Sequence, residues 1–255
     1  MDRQIVDAIP EPYRVERELG AGGMATVYAA RDMRHDRLVA IKVLRSDIHL
    51  VSGADRFLRE IRVAAQLTHP HILPLIDSGG SNGVLFYVMP YIEGQTLRER
   101  MACAGELSIP ETLRILRHVL DALAYAHGRG VVHRDIKPEN VLLSDRHALV
   151  ADFGVAKALG GSGTAGEATN LMTAAGSAVG TPAYMAPEQV AGDDVDHRAD
   201  LYAVGVLAYE MLTGRLPFQA ARPQQMMAAH LTSVPDPLLK WRPAVPRRLA
   251  EAVMK

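Results

Sequence analysis

The 255-residue sequence has one cysteine, Cys103, so no disulfide can close within it and a zinc site built on cysteines is not expected. A reducing compartment suits such a chain. Charge of either sign is scarce in excess: 28 Lys and Arg stand against 29 Asp and Glu, a net charge of -1. Nothing global draws the molecule to nucleic acid or to anionic lipid, and any charged ligand has to be held by a local cluster. Long hydrophobic runs are also missing. The longest apolar stretch, Leu201 to Leu212, is broken by Glu210 and is too short to span a bilayer. Met1 to Tyr13 carries Asp2, Arg3, Asp7 and Glu11 and has no apolar signal-peptide core. No internal repeat is found. What is present is 48% hydrophobic residues, enough to bury the core of one large domain or two modest lobes.

The first third reads as strands with one helix. Tyr13 to Leu19 and Thr26 to Asp32 flank a glycine cluster and predict a hairpin, and Leu38 to Leu44 predicts a third strand. Asp55 to Leu67 has Phe57, Ile61 and Ala64 or Ala65 at helical spacing. Ile72 to Ile76 and Val84 to Met89 read as two more strands, turned by Ser81-Asn82-Gly83. The remainder is mainly helical: Pro110 to His127, Asp200 to Leu212, Arg222 to Leu231 and Arg247 to Lys255, with short strands at Val141 to Leu143 and Ala148 to Val150. Gly160 to Ala178, rich in Gly, Ala, Ser and Thr, lacks the large apolar residues that would pack it and reads as a loop.

Four segments carry chemistry. In Leu19-Gly20-Ala21-Gly22-Gly23-Met24-Ala25-Thr26-Val27 the glycines allow backbone amides to approach phosphate oxygens. A ligand-free glycine turn explains this segment alone about as well. Its place between two strands argues against a dinucleotide-binding fingerprint, and no Gly-Lys-Ser/Thr follows to make a P-loop. Lys42, in Ala40-Ile41-Lys42, is costly to bury without an anion, and Glu60 on the next helix is a candidate partner. Taken singly, a lysine snorkelling to solvent is the commoner case. His133-Arg134-Asp135-Ile136-Lys137-Pro138-Glu139-Asn140 packs an imidazole, a guanidinium, two carboxylates, an ammonium and an amide into one loop. The apolar residues on both sides clamp that loop and weigh against a merely solvated one. Asp152-Phe153-Gly154 follows an apolar strand, where a carboxylate suits a hard cation such as Mg²⁺, although a simple Asp-Gly turn would also produce it.

In this order and at these intervals the four segments resemble the protein-kinase signature, and from about Tyr13 onward the chain is similar to the bacterial, eukaryotic-like (Hanks-type) serine/threonine protein kinase family. The resemblance implies an α+β, two-lobed fold. Residues 13–92 would form a small β-sheet lobe with one helix, and residues 93–255 a larger, mainly helical lobe. The family's large lobe normally runs on past Lys255, so a C-terminally truncated lobe with exposed apolar surface is expected.

The resemblance also implies roles. Leu19, Gly20, Ala21, Gly22, Gly23 and Val27 would cover ATP, with Ala25 in place of the usual third glycine. Ala40, Met89, Pro90 and Ile92 would meet the adenine, Met89 as gatekeeper. Pro90 keeps its carbonyl and Ile92 its N–H, so the proline removes no donor that the hinge needs. Lys42 would hold the α- and β-phosphates and pair with Glu60. Asp135 would accept the proton of the substrate hydroxyl, Lys137 would sit on the transferring γ-phosphate, and Glu139 would meet the ribose through its backbone or its side chain. Asn140 and Asp152 would hold Mg²⁺, with Mn²⁺ as a substitute. Thr181, before Pro182, would bond Asp135 and Lys137 in the segment that docks the acceptor peptide, and Asp200 would anchor the catalytic-loop backbone.

Arg134 beside Asp135 implies a phosphorylated activation loop, for which Thr173 is the first candidate, followed by Thr169, Ser177 and Thr164. The implied partners are protein substrates with Ser or Thr acceptors and a second copy of the chain for trans-autophosphorylation. No nucleic acid and no membrane contact are expected of this segment. Its expected location is the cytoplasm, with room for a membrane anchor elsewhere in a longer protein. A pseudokinase that binds nucleotide or partners is the alternative, and intact Lys42, Asp135, Asn140 and Asp152 count against it. A small-molecule phosphotransferase of kinase-like fold is a third reading, disfavoured by Lys137 and by the segment from Thr181 to Glu188.

Overall fold

The computed structural model describes residues 9–22, 25–44, 54–81, 84–154 and 182–255. Strands β1 (Tyr13–Ala21), β2 (Ala25–Asp32), β3 (Arg37–Leu44), β4 (Asp77–Ser81) and β5 (Val84–Pro90) form one antiparallel sheet in the order β1-β2-β3-β5-β4, with helix α1 (Ala54–Ala64) after β3. The rest is helical apart from a three-stranded sheet of β6 (Gln95–Thr96), β7 (Val141–Ser144) and β8 (His147–Val150). The helices are α2 (Leu97–Ala104), α3 (Ile109–His127), α4 (Pro187–Ala191), α5 (Arg198–Thr213), α6 (Pro223–Thr232), α7 (Leu238–Trp241) and α8 (Arg247–Val253). Short 3₁₀ turns lie at Pro138–Asn140 and Pro182–Tyr184.

The two-residue period of a strand sorts β3 onto two faces. Val39, Ile41 and Val43 pack with Tyr28, Phe86 and Val88 on one side. Ala40 and Leu44 face the other, against Phe57 and Ile61 of α1 and Leu85, Tyr87 and Met89 of β5. Lys42 lies on that second face, its Cα directly opposite Tyr87. Ala151, Leu142 and Leu149, which come from beyond β6, close the same cluster, so this face is where the two lobes meet.

One strand differs from the sequence expectation. Ile72 to Ile76 makes a single parallel bridge, Ile72 with Val150, and the strand beside β5 is Asp77–Ser81 instead. Its glycines explain the choice. A Cβ on Gly79 would lie 2.8 Å from the Phe86 ring, and one on Gly80 2.9 Å from Leu85, so only bare backbone fits over those side chains. The apolar residues at 72–76 serve the core: Ile72 and Leu73 are buried, and Leu73 N–H donates to the Val150 carbonyl at 2.9 Å.

Helix starts follow their local chemistry. At α2, Thr96 and Glu99 form a reciprocal capping box: Glu99 N–H donates to Thr96 Oγ1 (3.1 Å) and Thr96 N–H to Glu99 Oε2 (2.7 Å). At α3, Ser108 Oγ accepts from Glu111 N–H and Pro110 sits in the first turn. Helix α5 is buried on nearly every side and runs through the larger lobe, with Asp200 near its start and Glu210 near its end. Helix α8 closes at Val253 rather than running to the last residue. It packs Ala250 with Tyr209, Leu212, Leu238 and Val245 in a small separate core.

Three imidazoles tie the loop after α1 to this lobe. His71 stacks on His118 of α3 with ring centroids 3.9 Å apart, and His147 of β8 flanks both at about 6 Å. The Ala148 N–H donates to His118 Nδ1 at 3.1 Å, and His71 Nδ1 meets the Ala148 carbonyl at 3.2 Å.

Candidate active site

Helix α3 ends at His127 with Gly128 as its cap, and further on Pro138 restricts Lys137 to extended backbone and opens a 3₁₀ turn. The resulting loop folds around its own polar groups. Lys137 Nζ donates to Asp135 Oδ2 at 2.7 Å. Asn140 Nδ2 donates to the Asp135 carbonyl (2.8 Å) and to its Oδ2 (3.1 Å). Asp135, Lys137 and Asn140 are therefore one cluster. Asn140 is nearly fully buried while the Asp135 side chain is about a third exposed at 32%, which leaves the carboxylate open to an incoming group.

The loop is fixed from below by α5. Asp200, 1% exposed, accepts the backbone N–H groups of His133 (2.9 Å) and Arg134 (2.7 Å) and pairs with His127 Nε2 (2.7 Å). Burial alone would raise the Asp200 carboxyl. The His127 bond, the His133 ring and the two amides hold it below the usual carboxylate range. His133 connects the loop to the end of β8. Its Nδ1 accepts from Asp135 N–H (3.2 Å), so its Nε2 carries the proton given to the Ala151 carbonyl (2.8 Å). The Ala151 N–H in turn donates to the Asn140 carbonyl at 2.9 Å.

Asp152 follows directly, with φ +67°, a conformation its neighbours must hold in place. Lys42 and the Tyr87 hydroxyl both bond its carboxylate, which burial would push up but which the Lys42 charge and these bonds keep low. Sequence reasoning named Glu60 as the partner of Lys42. Lys42 forms an ion pair with Asp152, which reaches it across the junction of the lobes. Tyr87 was missed altogether. Its signal was legible: a tyrosine in the middle of an apolar strand must find a partner for its hydroxyl. Burial and the Asp152 charge raise that hydroxyl far above its ordinary pKa.

Ala40, Met89, Val27 and Ile92 fall in the same apolar cluster as Leu142 and Ala151, while Pro90 is half-buried at the end of β5. Leu142 had read only as part of a strand. Leu19, Gly20, Ala21 and Gly22 are exposed at the tip of the β1–β2 hairpin. A Cβ on Gly20 would meet nothing within 4 Å, and one on Gly22 only an ordinary contact at 3.6 Å. Neither packing nor backbone angle demands glycine there, which fits a surface kept bare for a ligand. The hinge glycine is the opposite case: a Cβ on Gly94 would lie 2.1 Å from the Leu143 carbonyl oxygen.

A second polar network was not anticipated. Arg98 of α2 donates to Glu139 Oε1 (2.8 Å), Glu210 Oε1 (2.8 Å) and the Tyr184 hydroxyl (2.7 Å), and Tyr184 donates to Glu210. Glu139 Oε1 accepts from this arginine, and the Glu139 side chain stays 42% exposed. Gly23, Thr181 and the phosphorylation candidates Thr164, Thr169, Thr173 and Ser177 lie outside the described residues. No helix among the described residues is long and apolar enough to cross a membrane.

A two-lobed fold with these groups gathered at the lobe junction defines a protein kinase, and the chain belongs to the protein kinase domain family, which it matches over residues 13–248. It is a catalytic domain of the bacterial serine/threonine type. Over 224 residues it is 45% identical to the probable serine/threonine-protein kinase pknA2 of Bifidobacterium longum, covering 86% of this chain and 28% of that protein. Over 245 residues it is 37% identical to the serine/threonine-protein kinase PrkC of Bacillus subtilis, covering 95% of this chain and 37% of that one. The chain thus spans less than half the length of these relatives. The crystal structure of the Mycobacterium tuberculosis PknI kinase domain is similar, with a TM-score of 0.73 and 33% identity over 97% of this chain and 89% of that one. Membership of the family carries the use of ATP and a divalent metal.

Proposed function

We propose that this domain transfers the γ-phosphoryl group of ATP to Ser or Thr hydroxyls of proteins, its own activation loop among them, through the cluster centred on Asp135. The observation that carries the reading is the convergence of Lys137 and Asn140 on the Asp135 carboxylate, with Lys42 on Asp152 nearby. Asp135 orients the acceptor hydroxyl and takes its proton as the oxygen attacks the γ-phosphorus and the bond to the β-phosphate oxygen breaks. Lys137, tethered to Asp135, brings positive charge to the phosphoryl oxygens, and Lys42 does so for the α- and β-phosphates. Leu19, Val27, Ala40, Met89, Pro90 and Ile92 take the adenine end. Residues 13–92 act as the nucleotide-covering lobe and 93–255 as the lobe that carries the proton acceptor and docks the acceptor peptide through the segment at Thr181.

The donor set fits a hard divalent cation. Asp152 offers a buried carboxylate already balanced by a cation, and Asn140, whose amide nitrogen is committed to Asp135, has its amide oxygen to offer. Mg²⁺, or Mn²⁺ in its place, would neutralise phosphate charge there. ATP supply places the reaction in the cytoplasm, and self-phosphorylation calls for a second copy of the chain.

Labelled ATP, Mg²⁺ and a general protein substrate test the reading. Asp135→Asn is expected to lower the rate by about 10²–10⁴-fold. Equal labelling by wild type and mutant would refute the role of Asp135 and leave a binding module in its place.

A further inference from the structure

Gln189 lies in the first turn of α4, half-buried, and both ends of its amide are in use. Its Oε1 accepts the Ala186 N–H at 3.0 Å, and its Nε2 donates to the Arg134 carbonyl at 2.8 Å. One partner can only donate and the other can only accept, so the amide has a single orientation.

The Arg134 carbonyl and the Asp135 N–H belong to the same rigid peptide plane. That plane is gripped at both edges: Gln189 takes the carbonyl, and His133 Nδ1 takes the N–H at 3.2 Å. Arg134 has φ +69°, a left-handed conformation that a non-glycine residue keeps only where its surroundings enforce it. The enforcement comes from two elements. Asp200 of α5 holds the Arg134 N–H, and Gln189 of α4 holds its carbonyl. Rotation of the plane would swing the Asp135 side chain away from Lys137 and Asn140.

Capping α4 does not by itself account for a glutamine. A glutamate serves equally well as the third-position partner of a capping box. Only the amide nitrogen reaches the loop, and a carboxylate there would face the Arg134 carbonyl oxygen.

We propose that Gln189 is a positioning residue for phosphoryl transfer: its side-chain amide sets the plane of the Arg134–Asp135 peptide, so that seating α4 and aiming the Asp135 carboxylate are one event. The proposal rests on Asp135 being the proton acceptor. It makes the catalytic loop sensitive to anything that lifts the α4 segment, with no contact between Gln189 and the substrate required.

The decisive variant is Gln189→Glu in the whole chain, which keeps the cap and removes the donor. The turnover number for a protein substrate should fall about tenfold, the worth of one lost hydrogen bond of this kind. Nucleotide affinity and the KM for ATP should stay at wild-type values. Hydrogen exchange at the Asp135 amide, read by NMR, should speed up because the plane is held at one edge only. Gln189→Ala should lower turnover as far and also lower the melting temperature, since the cap is lost as well. Wild-type turnover in Gln189→Glu, or nucleotide affinity falling in step with turnover, would overturn the proposal. So would an unchanged Asp135 amide. If Asp135→Asn turned over like wild type, the Asp135 assignment would fall separately, and the exchange rate alone would decide whether Gln189 holds the loop.

Discussion

Asp200 shows how much structure one side chain can organise. Its carboxylate holds two consecutive backbone amides and His127 in a site closed to water. Asp200→Ala strands both amides and the imidazole, and should cost about 3 kcal/mol of stability, checked by urea denaturation. The same substitution should depress activity, because Arg134 and Asp135 are spaced from it. At this scale the sequence was informative where chemistry is dense: Asp135, Lys137 and Asn140 share one loop clamped by apolar residues, while Lys42, Asp152 and Asp200 stood out only once the four segments together resembled the kinase family. Tyr87 and Gln189 did not. Tyr87 shows locally only that its hydroxyl needs a partner, and both side chains reach residues 65 or 55 positions away, a pairing that no local pattern encodes. Nor was the Lys42–Asp152 ion pair named, because only the packing of the lobes brings residues 110 positions apart together.

Glycines separate the elements that pack from the elements that bind. Gly94→Ala would drive a methyl into the Leu143 carbonyl and should cost about 2–3 kcal/mol, visible as a lower melting temperature. Gly20→Ala meets open space, so the melting temperature should hold while nucleotide affinity weakens. Finding the two effects exchanged would mean that the hairpin tip is structural and the hinge is not. Periodic elements were readable in advance, because burial repeats along them. Helix α3 begins one residue before the predicted Pro110, and Phe57, Ile61 and Ala64 do face the core from α1. The strand Asp77–Ser81 was not readable. Its sequence, Asp-Ser-Gly-Gly-Ser, has neither alternation nor β-propensity, and it pairs because β5 presents a ladder that only slim residues can approach. Helix α2 also escaped notice, since it is only eight residues long, buries just Leu97 and Met101, and has its start set by the capping box at Thr96 and Glu99.

Among the described residues, three histidines shape the response to acid: His230, which is buried, and His69 and His118, which are half-buried. Burial lowers the pKa of His69, His118 and His230, and the neighbouring His71 and Arg charges lower His69 and His118 further, with Asp121 opposing. The unfolded chain, with histidines near 6.5, takes up protons first as pH falls. Stability is therefore complete above about pH 6.5 and declines below it. Urea midpoints measured from pH 7.5 down to 5 should fall, and His118→Asn, which keeps an acceptor for the Ala148 N–H without titrating, should flatten the decline. An unchanged slope would place the acid response elsewhere. Helix α5 links the other parts. Asp200 grips the catalytic loop and Glu210, ten residues on, grips Arg98 and Tyr184. At 1.5 Å per residue the two acids stand about 15 Å apart on a rigid rod. That rod works as a ruler inside the lobe. A one-residue insertion between its marks would turn one acid through about 100° and pull it off its partners, so this stretch can accept exchanged side chains far more readily than a change of length.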